Sequence, residues 1–210
     1  RDRDMAVHDI EIVRIKPDFD ARAHDGMLAS AHALNARRLI VNVDDANLAR
    51  AAHHIGALAE RARVHGLGLG LEFMVYTAAR SLRAACELAE ASGSDTVHVV
   101  IDALHFFRAG STPEEMADAR IERDFMQIND APGRRHPGLS AGEEGRAHRL
   151  FPGEGELPVH RLLPHLSAGA ILSVEAPSAI RMAMLGTHER AAAAYRATHH
   201  FLQGHGHGHD

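Results

Sequence analysis

Four short apolar segments of this chain each close on a side-chain oxygen able to bind a hard metal, and few folds produce the spacing at which they recur. They are Leu69-Gly70-Leu71-Glu72, Val99-Val100-Ile101-Asp102, Phe125-Met126-Gln127 and Leu172-Ser173-Val174-Glu175. From 72 to 102, 102 to 127 and 127 to 175 the intervals are 30, 25 and 48 residues. A (β/α)8 barrel of ~250 residues advances by roughly 30 per strand-helix unit, and its parallel strands aim their C-terminal ends at one mouth. One acid at one strand end is more often a solvated rim residue. Four in succession predict oxygen ligands converging on a metal.

The rest of the chain keeps the same alternation. His8 to Ile15 (HDIEIVRI) is β-branched and alternating, so it reads as a strand ended by Lys16-Pro17, and Arg38 to Val43 (RLIVNV) is the next. Between them Ala21 to Ala36 has helical spacing. Asp44-Asp45-Ala46-Asn47 supplies turn and N-cap chemistry, after which Leu48, Ala52, Ile55, Leu58, Ala59 and Ala62 form one apolar stripe stopped by Gly66. A helix over roughly Ser81 to Ala91 precedes the Asp102 strand, and Thr112-Pro113-Glu114-Glu115 is a capping box opening a short helix before the Gln127 strand. The stretch from Ala131 to Leu157 is rich in Gly, Pro, Arg and Glu and reads as a long loop over the mouth, which accounts for the 48-residue interval. Pro158 to Leu166 is a short helix, and Ala179 to Leu202 an Ala-rich final one.

Six strands result where a closed barrel has eight. The expected fold is therefore α/β, a (β/α)8 TIM barrel lacking its first two βα units, with residues 1–203 as one N-terminally incomplete domain and 204–210 as a His/Gly-rich tail. A doubly wound six-strand sheet is the alternative, but it does not bring four successive strand ends to one metal as naturally. The open side leaves room for a further segment or for a second copy of the chain, so a homo-oligomer is one expected state.

Composition narrows the function. A chain of 210 residues with 45% hydrophobic content can bury one core. A formal charge of −5 gives no basic field for nucleic acid, and 18 histidines make the charge sensitive to mild acid. Cys86 is the only cysteine, which excludes an intrachain disulfide, suits a reducing cytosol and reads as packing. No apolar run approaches the ~20 residues that span a membrane. The opening Arg1-Asp2-Arg3-Asp4 is neither a signal peptide nor an initiator-methionine start, so the natural N-terminus is expected elsewhere.

The segments LEFM (Glu72), IDALHFFRAG (Asp102, His105), FMQINDAP (Gln127, Asp130), FPGEGELP (Gly153 to Leu157) and SVEAP (Glu175) occur in this order, and together they resemble the xylose isomerase-like TIM barrels. That family includes sugar phosphate isomerases and epimerases, inosose and 3-dehydroshikimate dehydratases and an apurinic endonuclease. The resemblance runs from His8 to about Arg181. It implies one divalent cation on Glu72, Asp102, Gln127 and Glu175, with Glu72 and Glu175 also moving the proton. Three carboxylates and an amide oxygen suit Mn²⁺ or Mg²⁺, and His105 imidazole would adjust the set toward Co²⁺ or Zn²⁺. Such a metal polarises a carbonyl and stabilises the enediolate left when a neighbouring C–H proton departs.

His105 is three residues past Asp102 and reads as a catalytic or substrate-contacting residue, with a wall histidine as its plain alternative. Arg108 either binds an anionic substrate or pairs with an acid. Arg149, just before FPGEGELP, is similar to a family arginine facing the substrate and could hold a carboxylate or phosphate, or be a solvated loop charge. Glu154 and Glu156 read as loop-ordering residues. His53-His54 and His199-His200 are adjacent pairs that diverge on a helix surface. Gln127 stands where many of the isomerases have histidine, a form that also resembles the dehydroshikimate dehydratase branch.

The leading expectation is a cytoplasmic, metal-dependent isomerase or epimerase of a small sugar or polyol keto acid. A dehydratase-type lyase is the runner-up. A nuclease is disfavoured because Asp44 and Gln127 stand where extra histidines of a three-metal cluster would be, and because the charge opposes phosphate. A non-catalytic binding protein built on an open barrel is the remaining class.

Overall fold

The computed structural model describes residues 5–118 and 120–205. The Arg1-Asp2-Arg3-Asp4 start and the tail histidines His207 and His209 lie outside the described residues, while His205 stacks on His160 with ring centroids 4.7 Å apart. Six strands, β1 (Asp9–Ile15), β2 (Arg38–Val43), β3 (Gly68–Glu72), β4 (Val97–Asp102), β5 (Ile121–Ile128) and β6 (Ile171–Val174), follow one another in the sheet in chain order. This is the strand order of a TIM barrel, with six strands of its eight. No helix among the described residues is long and apolar enough to cross a membrane.

The chain divides into two compact units, residues 1–100 with 118–122 and residues 101–117 with 123–210. In the first, β1, β2, β3 and the start of β4 pair in parallel, with Leu39↔Leu69, Val41↔Leu71 and Leu71↔Val99 in register. Every residue of β2 is buried. A strand covered on both faces loses the polar alternation of a half-exposed one, which is why RLIVNV reads as a nearly continuous apolar run. Helix α1 (Asp25–Ala33) follows a 3-10 turn over Ala21–His24, so the expected single helix begins as a tighter turn. Helix α2 (Leu48–Val64) starts where the Asn47 side chain accepts from Arg50 N at 3.0 Å. Its buried stripe is Ala51, Ala52, Ile55, Leu58, Ala59 and Ala62; Leu48 stays 40% exposed, because the first turn precedes the stretch that meets the sheet. Helix α3 (Leu82–Ala91) packs on α2, and a Cβ on Gly56 would stand 2.5 Å from Ser92 O, so only glycine permits this approach.

In the second unit α4 (Ala103–Arg108) leaves directly from the end of β4, and a 3-10 turn over Pro113–Ala117 stands where the capping box was read. Strands β5 and β6 pair in parallel with Gln127↔Ser173. Three expectations are corrected here. The 131–157 stretch is not all loop: α5 (Ala141–Ala147) forms inside it, held by a capping box of Ser140 and Glu143. Its stability comes from the cap and from the part-buried Arg108–Glu144 pair, so apolar periodicity never announced it. The final helix is two, α6 (Ala179–Met184) and α7 (Thr187–Gly204), because Leu185 is extended and Gly186 caps a new N-terminus through the Glu189 side chain. Pro158 to Leu166 folds as two 3-10 turns.

Candidate metal and substrate site

Asp102 is the last residue of β4 and the N-cap of α4, where its Oδ1 accepts from His105 N at 3.0 Å. The same carboxylate receives Asn129 Nδ2 at 2.7 Å and Arg149 Nη1 at 2.6 Å on Oδ2. It is 1% exposed. Burial pushes its carboxyl up, but the Arg149 guanidinium and the donated hydrogen bonds outweigh that and hold it below the ordinary value, ionised.

Arg149 organises the site. It is 3% exposed and donates Nε to Gly145 O at 2.6 Å, while Nη1 reaches Asp102 and, across the end of β6, Glu175 O at 3.0 Å and Glu175 Oε2 at 3.3 Å. Carboxylate oxygens of Asp102 and Glu175 lie within 4.8 Å of each other. Arg149 Nη2 donates to His105 Nε2 at 3.3 Å, since a guanidinium has no acceptor, and this leaves Nδ1 to carry the ring proton. Burial, reinforced by the Arg149 charge and opposed by Asp102, lowers His105 to about 4. It is a neutral imidazole near pH 7.

Each residue predicted from sequence has a definite place. Asp102, Gln127 and Glu175 belong to the second unit; Gln127 is 1% exposed on β5, and Glu175 follows β6 with its side chain 32% exposed. Glu72 ends β3 in the first unit, 4% exposed. Arg108 takes the pairing option, donating Nε and Nη2 to Glu144 at 2.9 and 2.8 Å and further bonds to the carbonyls of Pro132 and Gly133. Arg149 is a buried tie between two acids rather than a loop charge.

Asn129 was not singled out from sequence. It donates to Asp102 and accepts Leu104 N at 2.9 Å, locking β5 to the start of α4. The available signal was its position two residues past Gln127, on the same strand face. Asp130 receives the backbone N–H groups of Ala131, Gly153, Gly155 and Leu157 at 2.8 to 3.1 Å, so FPGEGELP is folded around one carboxylate. A Cβ on Gly155 would lie 2.4 Å from Ala131 O, which requires glycine there. Glu154 and Glu156 order the loop as expected, through Phe151 N and Gly133 N. Beside Glu175 opens a cavity of ≈ 420 Å³ whose lining includes Ser178, Arg181, Met182 and Arg190, a volume in the small-molecule range.

The strand order, with six of eight strands in chain sequence, is that of a TIM barrel. The model for the xylose isomerase-like TIM barrel matches residues 21–203, and the chain belongs to that family. Among solved structures, the IolI protein with a bound zinc atom is 18% identical with a TM-score of 0.74, covering 92% of this chain and 77% of its own. L-ribulose 3-epimerase is 17% identical with a TM-score of 0.64 over 88% of this chain and 67% of its own. The probable 3-DHS dehydratase AsbF from Bacillus anthracis is 11% identical with a TM-score of 0.62 over 78% of this chain and 69% of its own. At these identities the likeness is one of fold. No curated protein shows significant sequence similarity to the chain.

Proposed function

We propose that this protein is a divalent-metal-dependent isomerase or epimerase acting on a small polyhydroxy carbonyl compound. The observation that supports it most is the pairing of Asp102 and Glu175, two carboxylates within 4.8 Å at the ends of different strands, with Arg149 holding both in place. These donors suit a hard cation: Asp102, Glu175 and the amide oxygen of Gln127 from the second unit, with Glu72 from the end of β3 as the fourth proposed ligand. When bound, the cation would polarise a substrate carbonyl and stabilise the negative charge that builds up when the adjacent carbon loses its proton. Mn²⁺ or Mg²⁺ fits an all-oxygen set best, because His105 Nε2 is engaged by Arg149.

The chain's own groups divide the remaining work. Glu175 is the most accessible of the four, bordering the cavity, and is the proposed base that removes the proton; Glu72 is the second proposed acid/base residue. His105, neutral and protonated at Nδ1, would donate a hydrogen bond to a substrate oxygen without adding charge. Arg149 keeps Asp102 ionised and, by bonding to both, orients Asp102 and Glu175. A cytosolic location is supported by the single, buried Cys86.

A dehydratase is the second reading, favoured by glutamine at position 127, because the same proton removal followed by loss of a hydroxyl gives a lyase. Incubation of the Mn²⁺-loaded protein with keto sugars and with dehydroshikimate separates the two. Isomerisation conserves mass and exchanges solvent deuterium into substrate; dehydration removes water and creates ultraviolet absorbance. Neither product, together with no Mn²⁺ binding in a titration, would leave a non-catalytic protein.

A further inference from the structure

The end of β2 has no role in the site as described so far, yet it carries the least satisfied polar side chain there. Asn42 is 0% exposed, and among the described residues neither its Oδ1 nor its Nδ2 has a hydrogen-bond partner. A buried amide left in that state is costly, and it offers one acceptor and two donors to whatever meets it.

Strand parity gives its direction. The Cβ that Gly70 lacks would meet Ile40 Cδ1 at 2.9 Å, Arg38 Cδ at 3.1 Å and Val100 Cγ2 at 2.6 Å, so these side chains share one face of the sheet. Asn42 lies two residues past Ile40 and Glu72 two past Gly70, which continues that face to the strand ends. The register Val41↔Leu71 carries the two side by side. The layer beneath them is closed, since the gap at Gly70 cannot take a methyl group. Beyond them Arg14, in register with Asn42, holds Asp44 at 3.2 Å.

We propose that Asn42 is a specificity-determining residue that receives a hydroxyl group of the substrate beside Glu72, an inference resting on the polyhydroxy substrate proposed above. The two orphaned atoms select the group. A carboxylate or phosphate only accepts and would leave Oδ1 unmet; an ammonium only donates and would leave Nδ2 unmet. A hydroxyl donates to Oδ1 and accepts from Nδ2 at once, as do a water molecule and a neutral amide; among these the hydroxyl is the group a polyhydroxy substrate supplies.

The test uses the full chain labelled with ¹⁵N, with the Asn42 side-chain NH₂ signals assigned by their loss in Asn42→Leu. D-fructose, L-ribulose and myo-inositol are titrated with and without Mg²⁺, and Mn²⁺ affinity is measured separately. The expected result is a shift of the Asn42 pair with at least one polyol, and about tenfold or greater weakening of that polyol in Asn42→Leu with Mn²⁺ affinity kept. Should the leucine variant fail to fold, Asn42→Ser carries the same comparison. An Asn42 pair unmoved by all three polyols, or wild-type polyol affinity in the variant, overturns the proposal and leaves a buried water as the occupant. Failure of the wild type to bind Mn²⁺ overturns the metal reading instead, and the Asn42 signals still decide this one.

Discussion

Arg149 Nη1 lies 2.6 Å from Asp102 Oδ2, and the two side chains are 3% and 0% exposed. A buried ion pair of this kind is held less by its own attraction than by the cost of breaking it, because removing either partner strands the other charge away from water. It also means that the acid proposed to bind a metal is already oriented by three donors before any ligand arrives.

Arg149→Met is expected to lower unfolding free energy by ~3–5 kcal/mol in a urea titration, the usual cost of leaving a buried charge unpaired. Adding Asp102→Asn to it should recover part of the loss. A change below about 1 kcal/mol would show that the pair is hydrated.

Glu175→Gln is the cleaner test of chemistry, because a side chain 32% exposed tolerates the loss of charge without stranding it. Stability is expected to change little while turnover falls ~10²–10⁴-fold, the scale for a lost general base. Residual Mn²⁺ binding should persist through the amide oxygen. Wild-type turnover in this variant would remove Glu175 from the reaction.

Asn129→Leu removes a donor to Asp102 Oδ2 and the acceptor of Leu104 N. A partner that orients a ligand is typically worth 10–100-fold in metal affinity, so Mn²⁺ binding, followed by electron paramagnetic resonance, is expected to weaken by about that range. Unchanged affinity would show that Asp102 is held by Arg149 alone or is not a ligand.

Cys86 supplies a pH prediction away from the site. Burial, with the nearby Asp118 charge and hydrogen bond, pushes its thiol up from 9.0 to about 12. A group whose pKa is raised on folding contributes stability in full below the unfolded value and loses it as pH rises toward the folded one. Wild type should therefore lose stability relative to Cys86→Ala between pH 9 and about 12 and show a constant difference below pH 8. A thiol reagent should react at pH 8 only after unfolding. Rapid labelling of the native chain would contradict the burial.

Asp130 predicts a structural effect. Asp130→Ala leaves the N–H groups of Gly153, Gly155 and Leu157 without their acceptor, at about 1–3 kcal/mol for each one that stays buried. The expected readout is faster proteolysis within 131–157 while β2 and β3 amides stay protected from exchange. Protection lost everywhere at once would mean the loop is not a separate layer of stability.

The strand ends were legible because they obey one-dimensional rules. RLIVNV is apolar on both faces, the Asp44-Asp45-Ala46-Asn47 turn opens the helix that follows it, and the barrel period places acids at 72, 102 and 175. The same rules missed α5, whose two turns stand on Ser140, Glu143 and the Arg108–Glu144 pair, and they joined α6 to α7 because alanine continues past Gly186. Local propensity sees neither a long-range ion pair nor a chain reversal.

The sequence by itself determined the family, through the resemblance of its ordered motifs, and the strand order and oxygen-rich character of the candidate ligands, which follow from periodicity and residue type. Only the tertiary structure decided which partners Arg149, Arg108 and Asn129 take, and that Asn42 is buried without one among the described residues. Arg149 is 47 residues from Asp102 along the chain and Arg108 is 36 from Glu144. No spacing rule links residues so far apart, and whether a charge is solvated, paired or orphaned depends on which backbones fold past it.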